Sequence, residues 1–107
     1  MYRVIFEHHP KKNQEKEFMI YWKKGSDIIQ MQKGARGTKL FRSLKNPKVM
    51  YAMADWESKE ARDKAIEKLS KREDAQFVLH GHEKYVSSHK VIAEGELVEV
   101  SNIISHN

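Results

Sequence analysis

Residues 49–56 form the most continuously apolar stretch of the chain, with Asp55 as the only polar residue among them. An Asn-Pro pair just before the stretch favours a turn, and Ser58 just after it can cap a helix. A strand that is apolar on both faces must be covered on both, because neither face can be left in water. The pattern therefore predicts a buried strand between a turn and a helix.

Alternation and helical spacing predict the elements that precede this strand. Residues 2–9 alternate as a first strand, and residues 14–33 place their apolar side chains at helical spacing. Asn13 is predicted to cap that helix, and Gly34 to end it in the left-handed conformation. Gly25, inside the helix, indicates either a kink or the close approach of a neighbouring segment.

The remaining pattern completes a recognisable order of elements. A second strand is predicted within residues 35–45, a second helix after strand three, and a fourth strand over residues 90–100 with a bulge at Gly95. The order β-α-β-β-α-β predicts a ferredoxin-like α+β fold, in which a four-stranded antiparallel sheet carries both helices on one face.

The segment between the second helix and the last strand carries no single pattern. Apolar side chains from residue 75 to residue 86 suit one face of a helix, although Gly81 can end that helix early. Residues 87–89 are predicted to be a connection to the fourth strand.

Two helices on one face leave the other face of an apolar sheet in water. A second copy of the same sheet would cover it, so we expect a homodimer packed sheet to sheet, a dimeric α+β barrel. The alternative is that residues 71–89 fold over the open face of their own sheet.

Length and composition narrow the class of protein. A chain of 107 residues predicts one domain over residues 1–107, with a flexible tail at about residues 101–107. The absence of cysteine excludes disulfides and thiolate chemistry. No run reaches the ~18 apolar residues that a membrane span needs, and the N-terminus lacks the features of a signal peptide. We expect a cytoplasmic protein.

Charge and aromatic placement argue against a nucleic-acid partner. The net charge of +5 comes from interspersed residues, which favours a solvated surface over a binding tract. RNA-recognition domains share this order of elements but place exposed aromatic residues on strands one and three. Strand three here lacks that aromatic run, so nucleic-acid binding is disfavoured.

Several stretches resemble the antibiotic biosynthesis monooxygenase (ABM) family of dimeric α+β barrels. They are Val-Ile-Phe followed by Pro10, the helix start at residues 15–18, and the Gly-led start of strand two with its Leu-x-Arg-Ser at residues 34–43. Residues 46–58, from Asn-Pro to Trp-Glu-Ser, are similar to the family's signature of Pro-x-x-aromatic followed by Trp-Glu-Ser. The resemblance covers residues 2–69. Lys33 and Ala35 replace a proline and an aromatic residue of the family pattern, so the substrate is not carried over.

The resemblance implies a cofactor-independent monooxygenase that acts on a small aromatic or quinol-type substrate in a pocket between helix one and the sheet. The alternative is a non-catalytic module of the same fold that binds a small ligand or a partner. Haem degradation in the resembling branch needs an Asn on strand one and a Trp on helix two. Here His8 and Glu7 lie near the first position and Ala65 occupies the second. We therefore expect neither haem nor another cofactor.

Aromatic and histidine residues are the candidates for the pocket. We expect His82 or His8 to be the catalytic base. The substrate pocket is predicted to be lined by the four aromatic residues Trp22, Tyr21, Tyr51 and Trp56. The alternative for both tryptophans is a structural place in the core. Adjacent strand residues such as His8 and His9 point to opposite faces, and no carboxylate lies at ligand spacing, so no metal site is expected.

Overall fold

The computed structural model describes residues 1–100 as a four-stranded antiparallel sheet with helices on one face. The strands are β1 (Tyr2–Pro10), β2 (Ala35–Arg42), β3 (Met50–Trp56) and β4 (Val86–Glu96), in the order β2-β3-β1-β4. The helices are α1 (Glu15–Gln30), α2 (Lys59–Ser70) and the short α3 (Gln76–His80), with 3₁₀ turns at Glu73–Ala75 and His82–Lys84. The predicted ferredoxin-like α+β fold is confirmed. The tail predicted at residues 101–107 lies outside the described residues.

The two central strands alternate between a buried helix face and an open face. On β1, Val4 and His8 are buried beneath the helices, whereas Arg3, next to Val4, is exposed. Antiparallel pairing places Val4 opposite Ala54 and Tyr2 opposite Trp56 of β3. Because paired residues point to the same side of a sheet, these side chains form the floor on which α1 and α2 pack.

Helix α1 is shorter than predicted and begins differently. Asn13 does not cap it: this residue takes a positive φ of 65°, and Gln14 holds the N-cap position without a side-chain hydrogen bond. The helix continues through Gly25, where Val78 of α3 is the neighbouring side chain. A Cβ at residue 25 would lie 3.8 Å from Val78 Cγ1, an ordinary contact, so the packing does not require a glycine. After the helix, Gly34 adopts a φ of 87° as predicted, and a Cβ there would lie 2.7 Å from Cβ of Ala61.

Helix α2 begins as the sequence predicts. The Ser58 hydroxyl accepts a hydrogen bond from the backbone N–H of Ala61 at 3.0 Å, which satisfies one free donor of the first turn. Ala65 and Leu69 face the core, and Leu69 is fully buried. Within residues 1–100, no helix is long and apolar enough to cross a membrane.

The segment after α2 packs on the helix face of the sheet, so the alternative in which it covers the open face is wrong. The Tyr21 hydroxyl of α1 donates to the carbonyl of Phe77 at 2.9 Å. Gly81 ends α3, and a Cβ at this position would lie 2.7 Å from Cε1 of Tyr21. The tyrosine ring therefore requires a glycine here, and the chain turns so that His82 faces β1.

Strand β4 begins and ends earlier than predicted. Residues 87–89, predicted to be a connection, belong to the strand, and His89 pairs with His8. The register shifts where Ile5 pairs with Ala93 and Phe6 with Val91, which places the bulge at Ile92 rather than at Gly95. The polar composition of residues 87–90 conceals this strand, because pairing with β1 rather than burial keeps it extended.

The second face of the sheet carries no layer from residues 1–100. Ile5 and Tyr51 are partly buried on this face by their neighbours, and Phe41 is 50% exposed. The thinnest extent of the molecule is 18 Å, which fits one sheet covered by one layer of helices. A broad, partly apolar sheet face is thus left in water in the single chain.

Candidate functional site

A cavity of about 220 Å³ lies between the helices and the sheet. Strand β1 lines it with Val4, Phe6 and His8, and α1 lines it with residues spaced along one face from Tyr21 to Ile29. Residues of β3, α2 and α3 close the remaining sides, among them Trp56, Arg62 and His82. The walls are mainly apolar, with a few polar side chains at separate places, which is the usual character of a small-molecule site.

The cavity brings together most of the aromatic and histidine residues that the sequence singled out. Tyr21 and Trp22 of α1, Trp56 of β3, His8 of β1 and His82 all line it. Trp56 is also 2% exposed and packs with Tyr2 and Val4, so it belongs to the core and to the cavity wall together.

Tyr51 does not share this cavity, and the prediction that it lines the pocket is wrong. It lies on the open face of the sheet, where it pairs with Glu7 of β1 and Phe41 of β2. The physical reason is that successive side chains of a strand point to opposite faces of the sheet. Tyr51 and Trp56 are an odd number of positions apart on β3, so their side chains point to opposite faces.

Three imidazoles from separate elements meet at one end of the cavity. The ring centroids of His8 and His82 lie 5.9 Å apart, those of His8 and His89 6.0 Å, and those of His82 and His89 4.6 Å. All three rings are nearly parallel. Phe18 contacts His8 with a centroid distance of 5.1 Å, and the edge of Tyr21 faces His82 at 5.4 Å.

His8 is the deepest member of this group. It is 3% exposed, and its buried Nδ1 has no hydrogen-bond partner within residues 1–100. Burial lowers the pKa of His8 to about 4, and the neighbouring His82, His89 and His9 act in the same direction. Burial likewise lowers the pKa of His82, helped by His89 and His80. Both cavity imidazoles are therefore neutral at pH 7 and able to accept a proton or a hydrogen bond.

His89 is the member that the sequence did not reveal. It is exposed and belongs to β4, in a stretch of polar residues that shows no apolar alternation. Only Val86 and Val91 on either side of it indicate a strand, and neither specifies the register that sets His89 beside His8. The cluster thus extends from a buried imidazole at the cavity to an imidazole in solvent.

The cavity also contains polar side chains that were not predicted. The hydroxyls of Ser26 on α1 and Thr38 on β2 hydrogen-bond each other across the cavity wall. Arg62 of α2 donates from Nε to Asp63 Oδ1 at 2.8 Å and lies over the ring of Tyr2, 5.3 Å from its centroid. Ser26 and Arg62 occupy helix positions and Thr38 a strand position, and as polar residues all three would otherwise be assigned to the surface.

Tyr21 connects the cavity to the segment that carries His82. Its hydroxyl donates to the backbone of α3, and burial raises the pKa of Tyr21 to about 12. The phenol therefore stays protonated at neutral pH. Its role is to hold α3 against α1 and so to fix where His82 lies.

Within residues 1–100, the three imidazoles are not arranged as ligands of one metal ion. In the described part of the chain, no three His, Asp or Glu side chains are arranged to hold a metal ion. The near-parallel rings stack beside one another, whereas ligands of one ion would direct their nitrogens at a common point.

Solved structures of low sequence identity share this fold. A protein from Deinococcus radiodurans, classed with the antibiotic biosynthesis monooxygenases, matches with a TM-score of 0.75 at 11% identity, covering 98% of this chain and all of its own length. One from Bordetella bronchiseptica, classed likewise, matches with a TM-score of 0.74 at 16% identity, covering 92% of this chain and 97% of its own. SnoaB from Streptomyces nogalater, described as a cofactor-independent oxygenase and solved as a mutant, matches with a TM-score of 0.70 at 13% identity, covering 86% of this chain and 90% of its own.

The sequence itself supplies the assignment to a family. No curated protein matches the chain. The family model for antibiotic biosynthesis monooxygenase matches residues 1–67, which is more than half of the chain and includes β1 to β3 and most of α2. The chain therefore belongs to the antibiotic biosynthesis monooxygenase family.

Proposed function

We propose that this protein is a cofactor-independent monooxygenase that oxidises a small aromatic or quinol-type substrate in the cavity between α1 and the sheet. The observation that carries the proposal is the buried, neutral His8 on the wall of an apolar cavity, whose buried Nδ1 has no hydrogen-bond partner within residues 1–100. A buried polar atom without a partner costs about 1–3 kcal/mol, which a hydroxyl-bearing ligand would recover. Family membership and the likeness to SnoaB, a cofactor-independent oxygenase, support the same reading.

The size of the cavity limits the substrate. Its volume of about 220 Å³ exceeds the about 150 Å³ of an engineered cavity that binds benzene. It falls below the about 300 Å³ at which sites for drug-sized ligands begin. One ring or two fused rings fit this range, and a substrate of three or more fused rings exceeds it.

The reaction requires a proton acceptor and a dry site. An imidazole takes the phenolic proton, and the resulting anion transfers electrons to O₂ and forms a carbon–oxygen bond at an unsubstituted ring position. Loss of water from the hydroperoxide then leaves a quinone. A phenol with a free para position and one O₂ thus become one quinone and one H₂O, with the substrate supplying all four electrons. The imidazole returns its proton to the departing oxygen.

The two cavity histidines suit different parts of this reaction. Protonation of His8 carries a large desolvation penalty. His8 is therefore suited to stay neutral and to orient the substrate hydroxyl through a hydrogen bond. His82 is less buried and stacks on the exposed His89. We assign the base to His82, from which a proton can pass toward solvent along the histidine cluster.

The wild-type protein tests the proposal directly. With 1,5-dihydroxynaphthalene as the probe, we expect O₂ uptake above the buffer rate and one 5-hydroxy-1,4-naphthoquinone formed for each O₂ consumed. An oxygen electrode and quinone absorbance measure the two quantities. Binding of the probe without O₂ uptake would contradict the oxygenase and support the alternative, a non-catalytic module that binds a small aromatic ligand. The weak basicity of His8 is the observation that favours this alternative.

We further propose that the protein forms a homodimer through the open face of its sheet. The exposed Phe41 and the partly buried Ile5 and Tyr51 give this face an apolar centre. The salt bridge between Arg3 and Asp55, with Nε and Oδ1 2.7 Å apart, supplies a polar group at one side. A second copy of the same sheet would bury this centre, and two-fold symmetry makes one face self-complementary.

Replacing Tyr51 by aspartate tests this interface. We expect wild type to be a dimer at micromolar concentration and Tyr51→Asp to be a monomer, because the new carboxylate would be buried without a partner and opposite Glu7. Multi-angle light scattering measures the mass. The matched control Tyr51→Phe keeps the ring and should remain dimeric. A monomeric wild type, or a dimeric Tyr51→Asp, would show that this face does not form the interface.

A further inference from the structure

The cavity is an elongated slot with different polar groups at its two ends. It follows β1 from Val4 to His8, a distance of about 13 Å along a strand. It follows α1 from Tyr21 to Ile29, about 12 Å along a helix. Since the volume is only about 220 Å³, the slot is narrow for its length.

Helix α1 runs back along β1, which defines the ends of the slot. At one end Phe18 contacts His8, and His82 closes the wall. At the other end Ile29 packs on the cluster of Tyr2, Val4 and Trp56. The first end presents neutral imidazoles, and the second end lies beneath α2.

Arg62 of α2 supplies the charge at the second end. It lines the cavity and lies over the ring of Tyr2. Its Nε donates to Asp63, whose side chain is 54% exposed, and its two Nη groups have no hydrogen-bond partner within residues 1–100. The other carboxylate near this end, Glu94, accepts from the Tyr2 hydroxyl at 3.2 Å. A guanidinium with free Nη groups at an apolar slot is suited to a planar anion.

We propose that the cavity selects an elongated aromatic acid, with a hydroxyl at the His8 and His82 end and a carboxylate at Arg62. Two fused rings carrying these groups at opposite ends match the length and the narrow section of the slot. Trp22 and Trp56 flank the ring system. This inference rests on the proposed pocket and specifies the substrate class that the pocket takes.

Calorimetric titration with three naphthalene probes tests the inference without requiring turnover. The probes are 6-hydroxy-2-naphthoic acid, which has both groups, 2-naphthol, which lacks the carboxylate, and 2-naphthoic acid, which lacks the hydroxyl. We expect the hydroxy acid to bind wild type about tenfold or more tightly than either of the others, since each end contributes one charged or buried hydrogen bond.

Substitution at Arg62 isolates the carboxylate end. In Arg62→Gln we expect the preference for the hydroxy acid over 2-naphthol to disappear, while 2-naphthol binds as in wild type. The matched control Arg72→Gln alters an exposed arginine paired with Asp74 and should keep the preference. Higher NaCl should weaken binding of the acid to wild type and leave 2-naphthol unchanged, which gives a test independent of any variant.

The outcomes separate this inference from the proposed function. Equal binding of 2-naphthol and the hydroxy acid to wild type would overturn the inference and leave the pocket in place. A preference that survives in Arg62→Gln would also overturn it. If none of the probes binds, the pocket itself is refuted, and the proposed oxygenase with it.

Discussion

Replacing His82 by alanine is expected to lower the turnover of 1,5-dihydroxynaphthalene by about 100-fold or more, because general-base catalysis contributes about that factor at least. The imidazole lies on the cavity wall beside His8 and is neutral at pH 7, so its removal leaves no comparable acceptor at that position. Initial rates of O₂ uptake measure the loss. Thermal unfolding should change little, since His82 is only partly buried and its side chain makes no hydrogen bond within residues 1–100.

A neighbouring histidine provides the matched control. His80 lies two residues earlier, at the end of α3, and is exposed. His80→Ala should retain wild-type turnover, because its side chain faces solvent rather than the cavity. Full activity in His82→Ala would exclude this residue as the base and transfer the role to His8.

Acidification should destabilise the protein through His8. Its pKa is lowered from 6.5 to about 4 in the folded chain, so the unfolded state binds more protons between these values. Stability is therefore complete above pH 6.5 and falls as the pH approaches 4, by about 3 kcal/mol for this one group. Urea unfolding at fixed protein concentration, measured at pH 7 and at pH 4, gives the difference.

A variant separates the contribution of His8 to the pH dependence of stability from the contributions of other groups that titrate in the same range. His8→Leu keeps an apolar side chain against Phe18 and removes the proton acceptor. Its stability should fall by about 3 kcal/mol less than that of wild type between pH 7 and pH 4. His80→Gln, at an exposed position at the end of α3, should follow wild type. Identical pH dependence in wild type and His8→Leu would mean that His8 is protonated without cost in the folded state.

The local features of the fold were accessible from the residue pattern. Ser58 caps α2, Gly34 takes a positive φ, and β1 alternates so that Val4 and His8 share the buried face. Each of these follows from interactions within a few residues of the chain, which is why periodicity and capping rules capture them. The prediction that Asn13 caps α1 is wrong, because the turn before α1 places this residue in the left-handed region.

The candidate site was accessible only in part. Helical spacing brought Tyr21 and Trp22 to the face of α1 that lines the cavity, and the chemistry of imidazole singled out His8 and His82. The prediction for Tyr51 is wrong because aromatic character does not indicate which face of β3 a residue occupies, whereas its position in the alternation does. Arg62 carries no local sign that it borders a cavity, since a charged residue on a polar helix ordinarily faces solvent.

What the sequence alone decided is the order of the main elements, the buried faces of β1, α1 and α2, and the family, all of which depend on short-range patterns of residues along the chain. Only the tertiary structure decided that His89 joins His8 and His82, that the bulge in β4 lies at Ile92, and that residues 71–89 pack on the helix side. These outcomes depend on strand register and on contacts between residues far apart in the chain. Register arises from the combined pairing of whole strands, and no single residue of β4 specifies it.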